Sequence, residues 1–182
     1  MSTRLKLFDR ITQNLAPGTV EWIGLRKERY GEVLVVDKTE AITDLGLRGD
    51  RRCEGTPGSA RQVSIISREH ILAVAHILGI ESIDPSLLRR NLVVSGVNIN
   101  ALRYQQFFIG NALFEATAMC HPCSRMNKAL GSGGHAAMLG HGGICAKVIK
   151  GGNLSLGDKV IKIDRDKPTS QATQQQNDMF SS

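Results

Sequence analysis

From Val20 onward, apolar residues come in short runs separated by turn residues, and few segments repeat at the spacing of an amphipathic helix. That pattern predicts a strand-built core. Val20 to Leu25 and Glu32 to Val36 read as strands around the basic, polar stretch Arg26 to Gly31. Gln62 to Ile66 is another, followed at once by Ser67, a residue able to cap a helix whose apolar positions Ile71, Leu72, Ala75 and Leu78 recur at helical spacing up to Gly79. Asp84 followed by Pro85 is a second helix start, for a short turn ending near Arg90, after which Leu92 to Val94 resumes as strand. Phe107 to Ile109 and Ala112 to Thr117 flank Gly110-Asn111 as a hairpin, and Ile144 to Ile149 is expected to pair with Leu154 to Leu156 across Gly151-Gly152-Asn153. Val160 to Ile163 follows the turn at Gly157-Asp158. The fold expected is mainly β, a closed or partly closed barrel with a few short helices.

The boundaries follow the same pattern. Residues 1–19 form an N-terminal extension with the makings of a short amphipathic helix, 20–164 the domain, and 165–182, rich in Ser, Gln and Thr, a disordered tail. At 182 residues, 41% hydrophobic and 22% charged, the chain can bury a core without staples, and its 4% aromatic content leaves that core to Val, Ile, Leu and Ala. No apolar run of about 18 residues is available to span a bilayer, so no membrane partner is expected. With four cysteines and no export signal, reduced thiols and a cytoplasmic location are the expectation.

A net charge of +6 points to an anionic partner. A nucleic-acid-binding barrel would carry interleaved aromatics on which bases stack, and this chain lacks them. The segment Met119-Cys120-His121-Pro122-Cys123-Ser124-Arg125 concentrates the chemistry, with two thiols, an imidazole and a guanidinium. Four readings compete. Structural zinc wants a second closely spaced ligand pair, which is missing; a dithiol redox pair would normally open a helix in a βαβ pattern, also missing. Small thiols can simply be buried, which suits Cys53 and Cys145. For the remaining pair, a thiolate favoured by the nearby positive charge, able to bind metal or attack sulfur, is the reading the residues support best. The glycine-rich stretch Gly131 to Gly143 reads as a loop whose backbone NH groups could cradle an anion, with His135 and His141 available to face the same ligand. Arg48, Arg51 and Arg52 beside Asp50, Arg61 before Gln62 and Ser64, and Arg89-Arg90 before Asn91 place guanidinium groups next to tight turns, where their planar forks suit phosphate.

The ordered set GLRGDRR at 46–52, RQVSIIS at 61–67, RRNLVVSGVNIN at 89–100, Phe108-Ile109-Gly110, CHPC at 120–123, GHGGICAKVIKGG at 140–152 and LGDKV at 156–160 resembles the MOSC family. The resemblance implies a β-barrel-like domain related to the C-terminal part of molybdenum cofactor sulfurases and to amidoxime-reducing and hydroxylaminopurine-detoxifying proteins, which bind molybdopterin. It makes Cys123 the residue expected to meet the metal or its sulfur, with Cys120 the close rival. Arg51, Arg61, Gln62, Ser64, Arg89 and Asn91 become the expected cofactor contacts, joined by Arg125 and His141 from the residue reading. Two activities fit. One is molybdenum-dependent reduction of N-hydroxylated small molecules with electrons from an external donor protein; the other is a carrier holding a persulfide on Cys123, fed by an external sulfur donor.

Overall fold

The computed structural model describes residues 3–164. The tail expected at 165–182 lies outside the described residues. Helix α1 covers Thr3–Ile11 and sets Phe8 edge-on against Tyr104, ring centroids 6.3 Å apart. Eleven strands follow: β1 (Gly18–Leu25), β2 (Leu34–Val35), β3 (Lys38–Ile42), β4 (Gly46–Leu47), β5 (Val63–Ser67), β6 (Leu92–Ser95), β7 (Gln106–Ile109), β8 (Ala112–Met119), β9 (Ile144–Lys150), β10 (Gly152–Ser155) and β11 (Lys159–Lys162). The main sheet runs β11-β7-β8-β9-β5-β6-β1-β2, and β1 also pairs with β11 through Gly18 and Val160, so seven strands close into a barrel with β2 appended. β3, β4 and β10 form a second small sheet. The mainly β barrel is therefore as expected.

Strand alternation divides the apolar residues between two cores. Ile65 and Leu92 enter the cluster that fills the barrel, with Val20, Phe107, Phe114 and Val148. Their neighbours Ile66 and Val93 enter a second cluster on the outer face, beneath helices α2 (Arg68–Leu78), α3 (Pro85–Leu88), α4 (Arg125–Leu130) and α5 (Gly134–Ala137). The helix signals act as read. Ser67 Oγ accepts the His70 N–H at 3.1 Å and Gly79 closes α2 in the left-handed region at φ 67°, while Asp84 caps α3 by accepting the Ser86 N–H at 2.8 Å.

Three expectations need correction, and two strands were missed. β10 does not pair with β9: both edges of β9 are taken, by β5 and β8, and β10 pairs instead with β3, from Gly152 opposite Ala41 to Ser155 opposite Lys38. The glycines at 151 and 152 permit this departure, because a Cβ on the first would lie 2.8 Å from the Ala41 carbonyl oxygen and one on the second 2.7 Å from the Asn111 carbonyl carbon. The strand expected over Glu32 to Val36 shrinks to Leu34–Val35, both exposed. β3 and β4 went unread, since their apolar residues are too few to form a run. The stretch 131–143 is not wholly loop: α5 forms within it, and α4 directly before it.

Candidate functional site

The register places Ser64 on β5 opposite Cys145 on β9, with Asn91, at the start of β6, bonding to Ser64 from the other side. This row lies on the outer barrel face, the one that carries Ile66 and Val93. Asn91 is its hub. Its Oδ1 accepts bonds from the Ser64 N–H at 3.0 Å, the Ser64 hydroxyl at 2.9 Å and Arg26 Nη2 at 3.4 Å, while its Nδ2 donates to Asp50 Oδ2 at 2.8 Å and to the Gly24 carbonyl at 3.2 Å. Asp50, 2% exposed, also accepts the backbone N–H of Arg26 at 3.1 Å and of Arg52 at 3.0 Å. It pairs with the buried Arg26 guanidinium at 3.4 Å.

Positive charge exceeds negative charge here. Burial pushes the Arg26 guanidinium below its ordinary range; Asp50 opposes the shift, and Arg89, Arg52 and Arg51 add to it by repulsion. Asp50 is the counter-charge of Arg26, and three further guanidiniums act against it. Arg51 Nε is buried with no hydrogen-bond partner among the described residues. An anion seated there would satisfy that donor and relieve the repulsion.

The same field reaches the thiols. Arg90, 8% exposed, spreads its guanidinium over three carbonyls, those of Gly142 at 2.8 Å, Leu88 at 2.9 Å and Cys120 at 3.4 Å. Gly142 must lack a side chain, because a Cβ would overlap the Cys120 carbonyl oxygen and reach the Arg90 guanidinium at 3.4 Å. The Cys120 thiol, half-buried, is held below the ordinary thiol range, to about 6, first by its hydrogen bond with Cys145; burial works against this, and Arg90, Arg61 and Arg52 support it. The Cys145 thiol is pushed up by the same hydrogen bond and by its burial. Arg52 acts on both Arg26 and Cys120 and so joins the arginine cluster to the thiols. Cys123 is exposed, one residue ahead of Ser124, where α4 begins.

Comparison with known proteins bears on this arrangement. A family model described as the MOSC domain matches residues 50–161, more than half of the chain. The chain belongs to the MOSC family. Among solved structures, this MOSC chain is similar to the YuaD protein from Bacillus subtilis, with TM-score 0.68 and 21% identity over 81% of this chain and 96% of that one. It is also similar to YiiM from Escherichia coli, with TM-score 0.61 and 22% identity over 82% and 72% of the two chains. YiiM from Geobacillus stearothermophilus gives TM-score 0.64 at 14% identity, over 81% and 76%. These likenesses share the fold. No curated protein matches the chain.

Within this MOSC domain the expected site residues take different stations. Arg51 opens a 3-10 turn over 51–54, its N–H donating to the Arg26 carbonyl at 2.7 Å. Arg61 is exposed; its carbonyl accepts from Arg52 Nη1, and its charge acts on Cys120. Ser64 and Asn91 belong to the hub just described. Gln62 is buried, its Oε1 accepting the Val148 N–H at 2.7 Å, which ties it to β9. Arg89, at φ 56°, binds the carbonyls of Arg29 at 2.8 Å and Gly31 at 3.2 Å, pinning the loop after β1. That loop presents Tyr30, whose hydroxyl accepts from Arg125 Nη2 at 3.2 Å beneath a guanidinium 4.6 Å from the ring centroid. His141 packs edge-on against His70 at 5.3 Å, with Nδ1 3.0 Å from the Leu139 carbonyl.

Arg26 and the Cys120–Cys145 contact are not visible in the sequence, and Arg90 is visible only as one member of the Arg89-Arg90 pair. Arg90 had a visible signal, a second arginine directly before Asn91. Arg26 had none, because it reads as one more member of a polar loop. The cysteines sit 25 positions apart and meet only through the pairing of β8 with β9.

Proposed function

We propose that this MOSC domain binds a molybdenum cofactor, with the arginine cluster taking the phosphate and Cys123 offering sulfur to the metal. One observation carries the reading: the buried Arg26, paired with Asp50, feels the repulsion of Arg89, Arg52 and Arg51, and Arg51 Nε is buried without a hydrogen-bond partner among the described residues. A phosphate ester fits that deficit, because the guanidinium fork gives it paired charge-assisted bonds. The donor chemistry fits as well. A thiolate is a soft ligand suited to a sulfur-rich molybdenum centre, and Cys123 is exposed within the segment whose neighbouring thiol, Cys120, lies in the same positive field.

When bound, the cofactor supplies two-electron oxygen-atom exchange, and the substrate class that matches is N-hydroxylated small molecules, reduced with electrons from an external donor protein. The chain's own residues bind and orient. Arg51 and Arg52 hold the anion, Asp50 and Asn91 fix the arginines, and Arg90 braces the Gly142 and Cys120 carbonyls that position the thiol segment. Arg125 and Tyr30, bonded to each other, and His141 border the segment and are suited to face the substrate. A second reading has its own support. The exposure of Cys123 also suits a carrier that accepts sulfur as a persulfide from a donor protein.

Expression in a host that makes molybdopterin tests the cofactor reading, with molybdenum measured by mass spectrometry and pterin by fluorescence after oxidation. Near-equimolar metal and pterin per chain is expected. Protein free of both, with no uptake on reconstitution, overturns it. Persulfide on Cys123 in cofactor-free protein, with no reduction of an amidoxime, selects the carrier.

A further inference from the structure

The cofactor reading leaves the Cys120–Cys145 thiol pair unused. Ala118 on β8 stands opposite Cys145 on β9, and Cys120, two residues further along β8, faces the same side as Ala118. The two thiols are hydrogen-bonded to each other. Diagonal positions of a regular ladder stand about 7–8 Å apart at Cα, slightly beyond the roughly 4.4–6.8 Å that a disulfide spans. Two features depart from a regular ladder here. The register shifts between Ala116 and Ala118, and Cys120 lies just past Met119, the last residue of β8, held by its N–H to the Gly143 carbonyl at 2.8 Å.

Chemistry separates the two sulfurs into attacker and resolver. Cys120 is half-buried and sits in the field of Arg90, Arg61 and Arg52, which favours thiolate, the reactive form. Cys145 is buried and donates its S–H toward that thiolate.

We propose that Cys120 is a modification site for hydroperoxides, and that Cys145 resolves the oxidised thiol into an intramolecular disulfide. The Cys120 thiolate attacks one peroxide oxygen, the O–O bond breaks, and the products are Cys120 sulfenic acid and an alkoxide or hydroxide, which takes up a proton. Cys145 sulfur then attacks the Cys120 sulfur, forming the S–S bond and releasing water with the Cys145 proton. Two thiols are oxidised by two electrons and one peroxide is reduced to alcohol or water. The resolving step becomes easier once the first has happened. The hydrogen bond to the Cys120 thiolate is the leading cause that pushes the Cys145 thiol up, ahead of burial and the Cys120 charge, and the neutral sulfenic acid no longer offers that thiolate acceptor. Cys123 is the competing resolver, nearer in sequence but exposed. The proposal goes beyond the cofactor reading and does not depend on it.

The full-length protein, reduced and freed of reductant, is treated with an equimolar amount of hydrogen peroxide at neutral pH, alkylated in denaturant and digested with trypsin. Cleavage after Arg103, Arg125, Lys128 and Lys147 places Cys120 and Cys123 in peptide 104–125 and Cys145 in peptide 129–147. The expected product is a cross-link between these two peptides with the alkyl group on Cys123, and a thiol titre that falls from four to two. Cys120→Ser is expected to slow peroxide consumption by about tenfold or more, whereas Cys145→Ser should keep the fast first step and accumulate sulfenic acid trapped by dimedone. A loop closed within peptide 104–125, an alkyl group on Cys120, or four free thiols after treatment overturns the assignment. The wild-type map decides the point even if a variant fails to fold.

Discussion

Replacing Asp50 by alanine strikes the group on which the arginine cluster depends. Its carboxylate, 2% exposed, accepts bonds from the backbone of Arg26 at 3.1 Å and of Arg52 at 3.0 Å and from Asn91 Nδ2 at 2.8 Å, and it is the counter-charge to Arg26 at 3.4 Å. In the variant these donors lose their acceptor, and the buried Arg26 faces Arg51, Arg52 and Arg89 without compensation. Breaking a buried pair by removing one partner costs about 3–5 kcal/mol. The orphaned donors carry their own penalty, but Arg51 and Arg52 are half-buried, so water can enter and meet part of it. The pair figure therefore governs. A domain of this size moves about 2–4 °C in Tm per kcal/mol, which places the expected fall at about 6–20 °C by calorimetry or circular dichroism. Adding Arg26→Met should recover about half of the loss, since the stranded charge goes with it. An Asp50→Ala protein that melts within about 2 °C of wild type, or a double variant less stable than the single, refutes the reasoning.

Two further predictions follow from the thiol segment. Alkylation of Cys120 by iodoacetamide, followed peptide by peptide, is expected to rise through a midpoint near pH 6, because its ionised form is favoured in the fold; the midpoint should move upward in Cys145→Ala, which removes the leading hydrogen bond. A midpoint near the ordinary value of 9.0 in both proteins contradicts that assignment. Gly142→Ala forces a methyl group against the Cys120 carbonyl oxygen and is expected to cost about 1–3 kcal/mol in denaturant unfolding, with an unchanged midpoint arguing that the close approach is absent.

Local rules reached the elements whose signals are local. Ser67, Gly79, Asp84 and Pro85 bound α2 and α3 in the sequence as they do in the structure, because caps and first-turn prolines act within a few residues. The hairpin of β7 and β8 closes at Gly110-Asn111 for the same reason. Long-range pairing was another matter. Nothing near Gly151 tells that both edges of β9 are already occupied, so the chain looks ready to fold back there when it in fact crosses to β3. The site shows the same division. Ser64 and Asn91 stand near strand starts that the sequence shows, and in the structure they bond to each other, with Asn91 also bonded to Asp50, the cap of the turn that Arg51 opens. Arg26 and the Cys120–Cys145 contact were not legible, since each acquires its role from a strand far away in sequence.

If the arginine cluster and Cys123 together hold a molybdenum cofactor, as proposed, both are needed for full loading. Molybdenum and pterin should be counted per folded chain in wild type, Arg51→Ala and Cys123→Ser, purified side by side from one molybdopterin-producing host. Near-equimolar loading of wild type is expected. Arg51→Ala should lose binding equivalent to about 1.5–3 kcal/mol, a charge-assisted contact, seen as loss of metal and pterin together. Cys123→Ser should lose molybdenum more readily than pterin. Equal loading of all three folded proteins contradicts the proposal.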